Sequence, residues 1–129
     1  MKQSNTTRNR KEHFIGNLEY NYDELNDLLY IYKKNSNVFS NVMIGDFHLE
    51  FNKESEIVGI EILNASDILS EYDIPLEILK NINKVDLKVV TSGNSLLIFI
   101  IICSKNQTKS AAITMNNLEA PIMAAIEAA

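Results

Sequence analysis

The stretch Asp46-Phe47-His48-Leu49-Glu50-Phe51, the polar run Asn52-Lys53-Glu54-Ser55-Glu56, and then Ile57-Val58-Gly59-Ile60-Glu61-Ile62-Leu63 decides the fold. Apolar and polar residues alternate in its first arm, the signature of a strand with one buried face. With a turn centred on Glu54 and Ser55, Phe51 faces Val58, Leu49 faces Ile60 and Phe47 faces Ile62, all on one side. His48 then opposes Glu61, and Glu50 opposes Gly59. Adding or removing one loop residue would set apolar against polar positions throughout. Because one face must be buried, the pattern predicts an antiparallel hairpin with an even-length loop.

Downstream, Ser66 or Asn64 can cap a short helix from Asp67 to Tyr72, and Pro75 suits the first turn of another over Leu76 to Ile82. A second meander follows: Val85 to Val90, a Gly93-Asn94 turn, Leu96 to Cys103, and Ala111 to Met115. A two-residue loop at Gly93-Asn94 sets Val85, Leu87 and Val89 against Ile102, Ile100 and Ile98. The other face of that central strand, Leu97, Phe99, Ile101 and Cys103, is apolar too. A strand apolar on both faces needs cover on both, from the helices, the first meander or a second copy of the chain. The segment from Leu118 to Ala129 reads as a helix whose Ile122, Met123 and Ile126 form a lid. Upstream, Gly16 to Tyr22 and Leu28 to Tyr32 read as strands around a turn at residues 23–26, and residues 33–41 read as loop. The expected fold is α+β: two antiparallel β-meanders with short helices, β-rich, in a two-sheet or rolled-sheet packing.

At 129 residues, with 46% hydrophobic and 22% charged, the chain suits one globular domain. The longest apolar run, Leu96 to Cys103, is far too short to span a membrane. The one cysteine cannot form an internal disulfide, and the start of the chain does not resemble a secretory signal; both suit a cytoplasmic protein. Residues 1–13 read as a basic disordered leader carrying a net +3, so residues 14–129, the expected domain, carry −8 of the overall −5. So acidic a domain would repel phosphate backbones, which argues against nucleic-acid binding; only the leader could touch RNA or an acidic partner.

Asp46, His48 and Glu50 alternate along one strand with Glu61 opposite His48, so the four are candidates for an acid/base or metal site. The plain structural reading is the polar face of a sheet with one cross-strand pair. Cys103 reads as buried filler, since its neighbours supply neither a base nor positive charge. Tyr20, Tyr22, Tyr30 and Tyr32 lie on adjacent strands, where they either pack together or anchor a partner. Gly59 in mid-strand calls for a bulge or for the close approach of another backbone or of a ligand. No phosphate-binding loop, catalytic triad order or zinc spacing is present, and no cofactor is implied.

Tyr20-Asn21-Tyr22-Asp23, Asp27-Leu28-Leu29-Tyr30-Ile31-Tyr32, Val42 to Phe51, and Ile57-Val58-Gly59-Ile60-Glu61-Ile62-Leu63-Asn64-Ala65-Ser66 resemble a family of short prokaryotic proteins, domain of unknown function 2283. The resemblance covers residues 20–66, with the closing Gly-Ile-Glu-Ile-Leu-x-Ala-Ser as its most specific part. The family usually has Asp and Gly in the hairpin loop where this chain has Asn52 to Glu56, and residues 67–129 lie outside its core. The resemblance implies a compact β-rich unit and no activity; an antitoxin- or inhibitor-like role is a further implication of it. The expectation is a non-enzymatic interaction protein, a homo-oligomer or the subunit of a complex with a second small protein, using Leu97, Phe99, Ile101, Ile122, Met123, Ile126, Tyr30 and Tyr32. The alternative is a metal-dependent or acid/base enzyme centred on Asp46, His48, Glu50 and Glu61.

Overall fold

Nine strands and three short helices follow one another in the computed structural model, which describes residues 10–15 and 18–126. The strands are β1 (Arg10–Ile15), β2 (Leu18–Asp23), β3 (Leu28–Lys33), β4 (Ser40–Ile44), β5 (Phe47–Phe51) and β6 (Ile57–Leu63), then β7 (Lys84–Ser92), β8 (Ser95–Ser104) and β9 (Gln107–Met115). The helices are α1 (Ala65–Ser70) and α2 (Leu76–Leu79) between β6 and β7, and α3 (Ala120–Ile126) after β9. All pairings are antiparallel. One sheet has the order β2-β3-β6-β5-β4 and the other β1-β7-β8-β9. The fold is thus β-rich, with two antiparallel sheets and short helices.

The hairpin registers follow from the alternation. Phe47 pairs with Ile62, His48 with Glu61, Leu49 with Ile60 and Glu50 with Gly59. Phe51 differs: it pairs with Ile57, and the register shifts between Glu50 and Phe51. The loop holds five residues, Asn52 to Glu56, and a bulge at Val58 absorbs the odd one, so the apolar positions before it keep their partners. Asn52 organises the loop, since its side-chain oxygen accepts from the backbone N–H groups of Glu54 and Glu56, both at 3.0 Å. In the second meander Val85, Leu87 and Val89 pair with Ile102, Ile100 and Ile98, as the Gly93-Asn94 turn predicts.

Two strands lie where none was expected. β4 takes in the last two residues of the segment read as loop, Ser40 and Asn41, and the three that follow, and is joined to β5 by the two-residue turn Gly45-Asp46, in which Gly45 takes φ 58°. Its sequence, Ser-Asn-Val-Met-Ile, is short and half polar, and pairing with β5 decides its conformation. β1 begins at Arg10, within the basic stretch 1–13, and pairs with β7. Residues 1–9, to which most of the expected leader belongs, lie outside the described residues.

Alternate residues of both sheets meet in one buried cluster. Leu29, Ile31, Leu49, Ile60 and Ile62 come from the five-stranded sheet, and Val89, Leu96, Ile98, Ile100 and Ile102 from the four-stranded one. Leu69, Ile74, Ile78 and Leu79 join them from the helical connection, and Met123 from α3. The C-terminal lid therefore closes on the core near β4, and the outward row of β8 is left to other company. The helix also differs in its cap: Asn64 has left-handed backbone angles and makes no side-chain cap, and Ser66 turns to another partner.

Candidate interaction face

The outward row of β8 consists of Leu97, Phe99, Ile101 and Cys103, with Ile101 38% exposed and the other three half-buried. The pairing of β7, β8 and β9 sets Leu87, Ile100 and Ala111 in one row across the sheet. A groove of about 620 Å³ is centred on that row. It is lined by Asp86–Lys88 from β7, Phe99–Ile101 from β8 and Ser110–Ala112 from β9. Phe99 and Ile101 supply apolar surface, while the small Ser110 and Ala112 give the hollow its depth.

Charge sits along one side of this groove. The Lys88 ammonium lies 3.2 Å from a Glu12 carboxylate oxygen and 5.9 Å from the centre of the Phe99 ring, a cation–π distance. Asp86 is 3.9 Å from the Lys84 ammonium, a long and exposed pair that contributes little. Cys103 accepts a 3.6 Å contact from the Thr108 hydroxyl at the end of the row.

The outer face of the five-stranded sheet is built differently. Tyr30 donates its hydroxyl to Glu50 at 2.6 Å and stacks on Tyr32 with ring centres 4.6 Å apart. Burial, reinforced by the Glu50 carboxylate, raises the Tyr30 phenol well above its usual pKa. Gly59 lies between these groups: a Cβ there would run into the Glu50 carboxylate and touch the Tyr30 ring. The glycine is thus explained by neither expectation: the bulge lies one residue away at Val58, and what comes close is the protein's own Glu50 and Tyr30 side chains, not a backbone or a ligand. His48 and Glu61 form a separate 2.9 Å pair.

The four-residue acid/base candidate does not assemble. Asp46 lies in the β4–β5 turn, off the strand that carries His48 and Glu50, and offers its backbone carbonyl to the N–H of Leu63 at 2.9 Å. Glu50 is engaged by Tyr30, and His48 by Glu61. Among the described residues no group of three or more His, Cys, Asp or Glu is placed to hold a metal.

Of the residues expected to interact, Leu97, Phe99 and Ile101 share the open groove face, while Tyr30 and Tyr32 stand on the other sheet. Met123 is buried in the core and Ile122 packs against it, so neither offers a docking surface. The side chain of Ile126 lies outside the described residues. Tyr20 donates to the backbone carbonyl of Ile82 at 2.8 Å, which ties β2 to the connection before β7. Asp86, Lys88, Ser110 and Ala112 were not singled out from the sequence. The Gly93-Asn94 register already placed Asp86 and Lys88 beside Ile101 and Phe99, whereas Ser110 precedes the expected start of its strand.

A third cluster involves the residues that carry the family pattern. Asp27, at φ 51°, closes the β2–β3 turn. Its carboxylate accepts from the Tyr22 hydroxyl at 2.6 Å, the Ser66 backbone N–H at 2.9 Å and the Ser66 hydroxyl at 2.7 Å. Its carbonyl accepts from the N–H of Ala65 at 3.0 Å. Burial works against the Asp27 charge, but the bonds from Tyr22 and Ser66 outweigh it and hold the carboxyl below its usual range. Burial and then Asp27 push the Tyr22 phenol up to about 12. Each donor here has its acceptor, so the cluster is a structural latch.

Residues 19–66 match the family described as Protein of unknown function (DUF2283). This segment is β2 to β6 and the start of α1, the whole five-stranded sheet closed by the Asp27–Ser66 latch, so the family resemblance read from the sequence is borne out. The chain is also similar to the uncharacterized protein MJ0789 of Methanocaldococcus jannaschii, 35% identical over 69 residues, 52% of this chain. The match spans 56% of that relative's length. No solved structure matches the chain. The groove lies on β7–β9, outside the family-matched segment. No described helix is long and apolar enough to cross a membrane.

Proposed function

We propose that the chain is a non-enzymatic interaction protein that engages a partner through the outer face of β1-β7-β8-β9. The observation that carries this reading is the groove around Phe99 and Ile101 on the central strand of a sheet whose other face is already committed to the core. Apolar surface removed from water stabilises a complex by about 25 cal/mol per Å² before the costs of association, so this face gains more from a partner than a polar sheet face would. The hollow beside Tyr20 and Tyr22 of the five-stranded sheet is smaller, about 290 Å³, and on that sheet's outer face Tyr30 is engaged with Glu50 and His48 with Glu61.

A photo-crosslinking residue placed in the living host tests this. At Ser110, inside the groove, it should yield a covalent protein adduct. At Asn41, exposed on the outer face of the other sheet, it should yield none. Adducts at Asn41 alone would move the working surface to the five-stranded sheet.

A further inference from the structure

We infer that the occupant of the groove is a second copy of this chain, docked face to face about a two-fold axis that runs along the row Leu87–Ile100–Ala111. The inference rests on the interaction reading above and adds the partner's identity and the register of the contact.

The lining is symmetric about that row. From each of the three strands the groove takes one residue on the row and one to either side. A two-fold axis lying in the sheet face along the row reverses strand direction while keeping each strand over its equivalent. Ile101 then meets Phe99 of the second copy, and Phe99 meets its Ile101. On β7 the same operation sets Asp86 opposite Lys88 of the second copy, and Lys88 opposite its Asp86. Opposite charges at two positions flanking one row are what a self-complementary interface requires, since each contact occurs twice. Lys88 keeps Glu12 within reach while it does so, and the Asp86 side chain, 57% exposed, is open to a new partner.

Edge-to-edge association is the other way for two copies of a sheet to meet, and β9 is an edge strand nine residues long. Lys109 on β9 stands opposite Ile102, at a position directed to the inner face. A charge placed inward on an edge strand opposes the addition of another strand. On the β9 side the face therefore remains as the contact, with the sheets about 10 Å apart and their strands within about 30° of alignment.

Sedimentation equilibrium of the untagged full chain, over a range of concentrations, decides the matter. The wild type should reach twice its 14.6 kDa mass. Ile101→Asp should weaken self-association about thirtyfold or more, with circular dichroism and melting temperature unchanged. Asp86→Lys and Lys88→Asp should each be monomeric alone, and an equimolar mixture should form a mixed dimer, because both cross-interface positions then again set a lysine against an aspartate. Should Lys88→Asp not fold without its Glu12 pair, Ile101→Asp and Asp86→Lys still decide. A wild type that stays monomeric at its highest soluble concentration overturns the self-docking inference; adducts at position 110 in the host would then leave the interaction reading standing with another protein as partner. A dimer indifferent to Ile101→Asp overturns the self-docking inference, and the interaction reading falls with it only where position 110 yields no adduct in the host. A folded charge-reversal pair that stays monomeric when mixed overturns the proposed axis.

Discussion

Ser66 donates both its backbone N–H and its hydroxyl to the carboxylate of Asp27, at 2.9 and 2.7 Å, across 39 residues of chain. The contact joins the β2–β3 turn to the first turn of α1 and so closes the five-stranded sheet. Hydrogen bonds to a charged acceptor contribute about 1.5–3 kcal/mol each, and Asp27 accepts from Tyr22 as well. Asp27→Ala should therefore destabilise the fold by about 2–4 kcal/mol in urea unfolding, including the cost of a left-handed alanine. Asp27→Asn, which tolerates that backbone, should lose less. A double-mutant cycle of Asp27→Asn with Ser66→Ala should show coupling of about 1 kcal/mol; additive effects would mean the bond contributes nothing in solution.

The same latch predicts how stability varies with pH. Tyr22 is raised from 10.0 to about 12 in the folded protein, so its contribution is fully present below pH 10 and is lost as pH rises through 12. Asp27 is lowered below its ordinary 3.8, so its contribution is present above that pH and is lost as pH falls through the folded value. Urea midpoints measured across both limits should drop at each. Tyr22→Phe should flatten the alkaline limb in part, because Tyr30 is raised as well, and should cost about 1 kcal/mol at neutral pH.

Gly59→Ala tests the crowding over β6. Its Cβ would meet the Glu50 carboxylate, which Tyr30 holds in place, so the side chain can yield only by giving up that bond. A loss of about 1–3 kcal/mol is expected, the range for overpacking. In a Glu50→Ala background the same substitution should cost clearly less, and thermal unfolding of the four proteins reads the difference.

His48 and Glu61 are 22% and 27% exposed, and their pair should contribute less than about 1 kcal/mol. His48→Ala should thus unfold near the wild type and leave the solution mass unchanged. A variant that keeps its fold but changes its mass would place the working surface on the five-stranded sheet.

Local pattern made much of this architecture legible. Alternation through Phe47 to Phe51 and Ile57 to Ile62 is enough to pair His48 with Glu61, because a slip of one residue would expose the whole apolar set. The two-residue turn at Gly93-Asn94 likewise determines β7 against β8. The five-residue loop was not legible, because Ile57 and Val58 are both apolar and both buried, so alternation alone does not say which of them stands opposite Phe51. β4 was not legible because five residues of mixed polarity have no preference that competes with their neighbours.

By itself, then, the sequence determined seven of the nine described strands, most of their facing residues and the two-sided apolar character of β8, all consequences of side-chain period and turn length. Tertiary structure alone decided which face of β8 the core would occupy, that α3 would close near β4, and that Tyr30 would engage Glu50. It also turned the family-pattern residues Tyr22, Asp27 and Ser66 into a latch. Those outcomes depend on contacts between residues tens of positions apart, and local periodicity carries no information about which distant surfaces meet.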